Sequence, residues 1–296
     1  MPALTYLQSN PVFTLSLLAG FSLLLGSFFN VVIYRLPKMM EARWKQECRL
    51  ILEQDNGSST DDQTFNLAFP NSHCPSCGGP VKAWQNIPLI SYVLLRGRCA
   101  SCQTPISPRY PAVELATAAL AVFAALQFGF GWQSLAVIVF SWALLIMTMI
   151  DIDHQLLPDS LTLPLLWLGL GYNALSGTVP LNDAVWGAIF GYLSLWSVYW
   201  LFKLLTGKEG MGFGDFKLLA ALGAWLGWQM LPVIILLSSV VGAVFGGLVL
   251  LLQGRNGTAA IPFGPYLAAA GLIALYWGER LLNSYLGMAG LPLLSQ

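Results

Sequence analysis

Charge is what this chain has least of. Only 9% of its 296 residues are Asp, Glu, Lys or Arg, and two are His. Soluble domains average ~25% charged residues, so this scarcity excludes an ordinary water-soluble fold. With 56% hydrophobic residues and a mean hydropathy of +0.66, the chain reads as an all-α polytopic protein whose surroundings are the lipid bilayer. Net charge is zero, which argues for no nucleic-acid partner. Residues 1–34 carry no charged side chain at all. A secretory signal would open on a positive region and close on a small-residue cleavage site. Neither is clear, and residues 12–34 are long enough to span a bilayer, so residues 1–34 read as a retained first transmembrane helix.

The few charges are unevenly placed. Nine of the 14 Lys and Arg fall between Arg35 and Arg109. Residues 35–110 therefore form a polar insert, and residues 111–296 the transmembrane core. Within the insert, Pro37 is expected to end or kink the first helix. Residues 39–54 suggest a short amphipathic surface helix, residues 55–64 a flexible loop, and residues 69–111 a small loop-rich module with short strands. Apolar runs at 111–128, 132–150, 161–175, 184–205, 216–226, 231–252 and 261–282 bring the expected number of transmembrane helices to about eight. A basic insert after an uncharged N-terminus places the insert in the cytoplasm. Counting spans from there returns the chain to the cytoplasm at Asp151, at Lys203, Lys208 and Lys217, and at Arg255. Asp151 and Asp215 fall on the same cytoplasmic side.

That shared side matters because Asp215 ends an unusual stretch, Gly210-Met-Gly212-Phe-Gly214-Asp215. A carboxylate at the mouth of a membrane helix is costly and points to function. Two carboxyl groups a few ångströms apart cannot both ionise easily. One then takes a proton from water while the other donates to a scissile carbonyl, the arrangement of aspartic proteases. Asp151 and Asp215 are the expected catalytic pair, with Asp153 as the competing partner for Asp215 and His154 as a lesser candidate base. The glycines would let an extended peptide backbone approach closely. Against this, Asp215 could simply cap its helix, and Asp151, Asp153 and Asp159 could be solvated loop charges.

There are five cysteines, and four of them form Cys74-Pro-Ser-Cys77 and Cys99-Ala-Ser-Cys102, separated by 21 residues. The spacing is that of a four-thiolate tetrahedral zinc site. In a reducing cytoplasm, disulfides are disfavoured. Four thiolates leave no position for water, so Cys74, Cys77, Cys99 and Cys102 are expected to hold a structural zinc, with redox chemistry the alternative. Cys48 reads as an ordinary thiol.

These stretches together resemble the type IV prepilin peptidases, the bifunctional leader peptidases and N-methyltransferases of pilus assembly and type II secretion. The likeness covers nearly the whole chain. It runs through Gly26-Ser-Phe-Phe-Asn-Val-Val-Ile-Tyr-Arg-Leu-Pro37, the two Cys-x-x-Cys pairs and Trp84-Gln-Asn-Ile-Pro-Leu-Ile-Ser-Tyr92. It continues in Leu95-Arg-Gly-Arg-Cys99, Pro105-Ile-Ser-Pro-Arg-Tyr-Pro111 with Glu114, Asp151-Ile-Asp-His-Gln-Leu-Leu-Pro158-Asp159, and Gly212-Phe-Gly-Asp215. Leu157 stands where isoleucine is common, and the stretch 39–70 is long. The resemblance implies Asp151 and Asp215 as the catalytic pair and prepilins and pseudopilins as substrates, in the bacterial inner membrane. Cleavage would follow a glycine on the cytoplasmic side, with S-adenosylmethionine then methylating the new N-terminal residue. Methylation rests on the resemblance alone. No Gly-rich strand–turn–helix unit for the methyl donor is legible, and the insert is the expected place for it.

Two other classes compete. A proton- or cation-coupled transporter could use the same carboxylates, although no internal repeat is visible. A non-catalytic assembly protein could use the cysteine module to bind a partner.

Overall fold

The computed structural model describes residues 10–52, 65–253 and 262–288. The expected loop at 55–64 and the return at Arg255 lie outside them. The described residues are helical throughout, apart from loops, two 3-10 turns and two isolated β-bridges. The helices are α1 (Pro11–Ile51), α2 (Ile90–Leu94), α3 (Arg109–Phe128), α4 (Trp132–His154), α5 (Asp159–Ser176), α6 (Leu181–Thr206), α7 (Phe213–Leu226), α8 (Leu231–Gln253) and α9 (Gly264–Met288). Two compact units divide the chain inside α4, one ending at Trp142 and the other starting at Ala143.

Among the described residues eight long helices stand where about eight spans were expected, but five are long and apolar enough to cross a membrane: α1, α3, α4, α6 and the stretch Trp228–Leu248. The difference has a physical cause. With 14 residues, α7 is only ~21 Å long, short of the ~30 Å hydrocarbon core. With 18 residues, α5 carries Pro164 and a buried Asn173, and α9 contains Glu279 and Arg280.

In the first unit, α1 packs on α3. Pro37 does not end α1, which runs on as one helix of 41 residues. The separate amphipathic helix expected from residue 39 is its continuation. The segment after Pro37 is built from good helix formers, and Glu41 and Lys45 add an i,i+4 ion pair at 2.7 Å. Arg35, buried just before the proline, donates to the carbonyls of Asn66 (2.9 Å), Leu67 (3.4 Å) and Pro70 (2.6 Å). It thereby ties residues 66–70 of the insert to α1. The short strands expected in the insert do not form among the described residues. Its backbone pairs only at the single bridges His73–Pro80 and Arg98–Pro105.

In the second unit, α7 is the core. Every residue from Leu218 to Trp225, as well as Asp215 and Phe216, is buried, and α5, α6, α8 and α9 all contact it. A helix apolar on every face must be enclosed in this way. Its C-terminal carbonyls are capped from α5: Asn173 Nδ2 donates to Ala224 O (2.9 Å) and Trp225 O (3.1 Å). Where α6 crosses α7, Gly187 and Gly223 meet backbone to backbone, and a Cβ at Gly191 would lie 2.6 Å from the Leu219 carbonyl oxygen. Small residues that allow backbones to approach are how membrane helices pack without a hydrophobic driving force. Gly223→Ala is therefore expected to destabilise the protein by about 1–3 kcal/mol, seen as a lower unfolding midpoint in detergent. A midpoint equal to wild type would show that this crossing has slack.

Candidate active site

Asp151 lies three residues before the end of α4 and is 5% exposed; Asp215, in the first turn of α7, is 7% exposed. The two acids are brought to one junction: Leu157 packs against the Gly214 position next to Asp215 and against Gly264, whose amide bonds Asp151. The fold explains how each is held. Asp151 Oδ2 accepts a hydrogen bond from the Gly264 amide at 3.0 Å. Gly264 is the first residue of α9 and is followed by Pro265, so its N–H has no partner within the helix and is free to bind the acid. A Cβ at Gly264 would sit 2.6 Å from Asp151 Oδ2. Asp215 is flanked by Phe213 and Phe216, which pack with Tyr199 of α6 at centroid distances of 5.2–5.7 Å. That cluster anchors the first turn of α7.

The structure separates the other acidic candidates by environment. Asp153 and His154 are exposed. Asp159 forms a two-oxygen ion pair with Lys217 Nζ, 2.7 Å to each oxygen, which joins the N-termini of α5 and α7. The three glycines also part company. Gly214 is packed so closely that a Cβ would meet Leu157 Cβ at 2.7 Å, and a Cβ at Gly210 would lie 2.9 Å from the Phe202 ring. Gly212 alone is open, with nothing nearer than Asp215 Oδ2 at 3.7 Å. Its backbone is extended (φ −80°, ψ 148°) at the helix entrance. So two of the three glycines serve internal packing, and one leaves room beside the acid. Leu157 also approaches the Gly264 Cβ position to 3.3 Å, wedging the loop after α4 between the starts of α7 and α9. Sequence reasoning missed Gly264 and Leu157. The Gly-Pro start of an apolar run was the available signal for the first; the second stands out in sequence only as a leucine where isoleucine is common, with nothing local to mark its packing role.

The cysteines of the insert converge as their spacing requires. The four Sγ atoms all lie within 4.8 Å of one another, and Cys74 and Cys102 are 3.8 Å apart. A tetrahedron with ~2.3 Å zinc–sulfur arms has an edge of about 3.8 Å, so the cluster can coordinate a metal. The two halves share a turn. Gly78 N donates to Cys74 O (2.9 Å) and Gln103 N to Cys99 O (3.0 Å), while Cys74 N and Cys99 N bond to Gly79 O and Thr104 O. The residue after each second cysteine, Gly78 or Gln103, has positive φ. The Thr104 hydroxyl, then its amide, holds the Cys102 thiol down at about 6. Amides of Cys77 and Ser76 lower Cys74 in the same way. Cys77 goes the other way, to about 11, because the Gly79 amide is outweighed by the neighbouring Cys102 and Cys74 thiols, so metal binding, which takes thiolates, must displace its proton. Cys48 lies exposed on α1, outside the cluster.

Comparison with known proteins gives a consistent result. Residues 21–128 match the bacterial peptidase A24 N-terminal domain, and residues 138–247 match the type IV leader peptidase family. A prepilin leader peptidase/N-methyltransferase from Pseudomonas aeruginosa is 56% identical over 290 residues, covering 98% of this chain and 99% of the relative. Proteins of the same name from Aeromonas salmonicida and Xanthomonas campestris are 57% identical over 271 residues (92% of this chain, 93% of the relative) and 49% identical over 288 residues (97% and 100%). No solved structure matches the chain. With matches in each compact unit and relatives of this identity along almost its whole length, the chain belongs to the type IV leader peptidase family.

Proposed function

We propose that this protein is a bifunctional prepilin leader peptidase and N-methyltransferase of the bacterial inner membrane, with Asp151 and Asp215 as its catalytic carboxyl pair. The observation that carries the peptidase reading is the burial of these two acids at one junction, where Leu157 packs against both Gly214, next to Asp215, and Gly264, whose amide holds Asp151. The ionised member takes a proton from water, the water oxygen bonds to the scissile carbonyl carbon, and the protonated member donates to the carbonyl oxygen. Collapse of the diol returns a proton to the departing amine. The two carboxyl groups suffice for these proton transfers. The open backbone at Gly212 leaves space for an extended peptide beside Asp215.

The substrates are prepilins and pseudopilins, cut on the cytoplasmic side of their apolar segment. Lys203, Lys208 and Lys217 belong to the loop and helix ends around Asp215, and basic residues favour the cytoplasmic side. All eight long helices belong to the membrane part. Enclosure by its neighbours frees α7 from having to match the bilayer thickness. Cys74, Cys77, Cys99 and Cys102 hold a structural zinc, and S-adenosylmethionine supplies the methyl group.

The direct test is to incubate the purified protein with a prepilin and labelled methyl donor, reading cleavage and methylation separately. Cleavage without added metal and label in the mature product are expected. A transporter would give neither. Gly264→Ala adds a finer prediction. Its methyl group displaces Asp151 Oδ2, and misplacement by about 1 Å can cost ~10²-fold in rate. The cleavage rate of this variant should fall by about that factor with an unfolding midpoint near wild type. A wild-type rate would show that the Asp151 position tolerates the shift.

A further inference from the structure

We propose that a cavity of about 500 Å³ within the first unit binds the methyl donor, with Glu114 facing its sulfonium end and Arg35 its carboxylate. This rests on the methyltransferase reading above and deepens it.

The cavity is the size of a small-molecule site, ~300–1,000 Å³. It lies between α1, α3 and the cysteine turns, and both Arg35 and Glu114 line it. Both are buried, at 7% and 8% exposure. Among the described residues neither has a partner of opposite charge. Arg35 donates only to the neutral carbonyls of Asn66, Leu67 and Pro70. Glu114 accepts from a neutral group, the Leu89 amide at 3.0 Å, while the nearby Ser27 hydroxyl donates to Asn86 O at 3.5 Å. Two buried ionisable side chains of opposite sign thus line one cavity with no ion pair between them. A buried charge is costly unless paired. Those carbonyls leave part of the guanidinium's N–H fork unused and available to a ligand.

A ligand that compensates both charges must itself carry both. S-adenosylmethionine does: its sulfonium lies at the adenosine end of the amino-acid portion, and its carboxylate sits with the ammonium on the α-carbon at the other end. Its adenine needs a flat, partly polar wall, and Tyr34, Tyr92 and Asn86 line the same cavity. During transfer, the free N-terminal amine of the cleaved pilin bonds to the methyl carbon. The carbon–sulfur bond breaks with its electron pair going to sulfur, and the amine releases one proton to solvent. Sulfur becomes a neutral thioether, so a carboxylate beside it favours the donor over the spent product.

The test measures equilibrium binding of tritiated S-adenosylmethionine and of S-adenosylhomocysteine to the full chain in lipid nanodiscs. Wild type is expected to prefer the sulfonium ligand. Glu114→Gln keeps an acceptor for the Leu89 amide but removes the charge. It should weaken S-adenosylmethionine at least about tenfold and erase the preference over the thioether. Ser27→Phe projects from α1 into the cavity and should abolish binding of both ligands, with metal content unchanged. If wild type binds the donor and both variants bind it equally well, the cavity assignment is overturned while the bifunctional reading stands. If wild type neither binds the donor nor transfers its methyl group, the methyltransferase reading itself fails.

Discussion

Asp215→Asn and Asp151→Asn should each abolish prepilin cleavage, with expected losses of about 10³-fold or more, and the double variant should be no worse than either alone. The size follows from removing a group that moves protons in the transition state, worth ~10²–10⁴-fold. The lack of additivity follows from the two acids acting as a unit. Both substitutions should leave the fold intact. In Asp151→Asn the side-chain carbonyl oxygen can still accept the Gly264 amide, because that contact uses a single acceptor oxygen of Asp151. Asp215 is held by Phe213, Phe216 and Tyr199 on either side of it, contacts that an amide of the same size preserves. Cleavage of a purified prepilin in lipid, with the unfolding midpoint measured alongside, provides the check. Near-normal cleavage by either single variant would remove that residue from the pair. In the same assay Asp153→Asn is expected to cut normally, since Asp153 is exposed.

The second large effect concerns the insert. Cys74→Ser should reduce zinc from about one ion per chain to near zero and loosen residues 65–108. Between these residues the described backbone makes only single bridges, one turn of 3-10 helix and the five-residue α2. So little regular structure cannot hold itself together, and a structural zinc contributes on the order of 10 kcal/mol to small domains. Metal analysis of the whole protein, with limited proteolysis before and after chelation, reads both consequences. Undiminished zinc in the variant, or a chelated protein as protease-resistant as wild type, would overturn the structural-zinc assignment. The insert also supplies most of the cavity wall, so chelation should weaken binding of the methyl donor too.

The sequence by itself determined the positions of the long helices and the identity of the cysteine cluster. Helix positions are legible because each membrane helix must satisfy its backbone internally and be apolar over its length, a local requirement. The four cysteines are legible because metal geometry dictates Cys-x-x-Cys spacing. Tertiary structure alone decided what depends on contacts between distant segments. It buried Asp151 and left Asp153 two residues away exposed, which no local pattern distinguishes. It brought the Gly264 amide to Asp151 across 113 residues, and used Leu157 to fix that junction. It carried α1 past Pro37, because the residues beyond favour helix more than one proline disfavours it. It made α7 a core helix too short to span alone, because its neighbours enclose it. And it placed Arg35 and Glu114 around one cavity, a pairing of charges by space rather than by sequence.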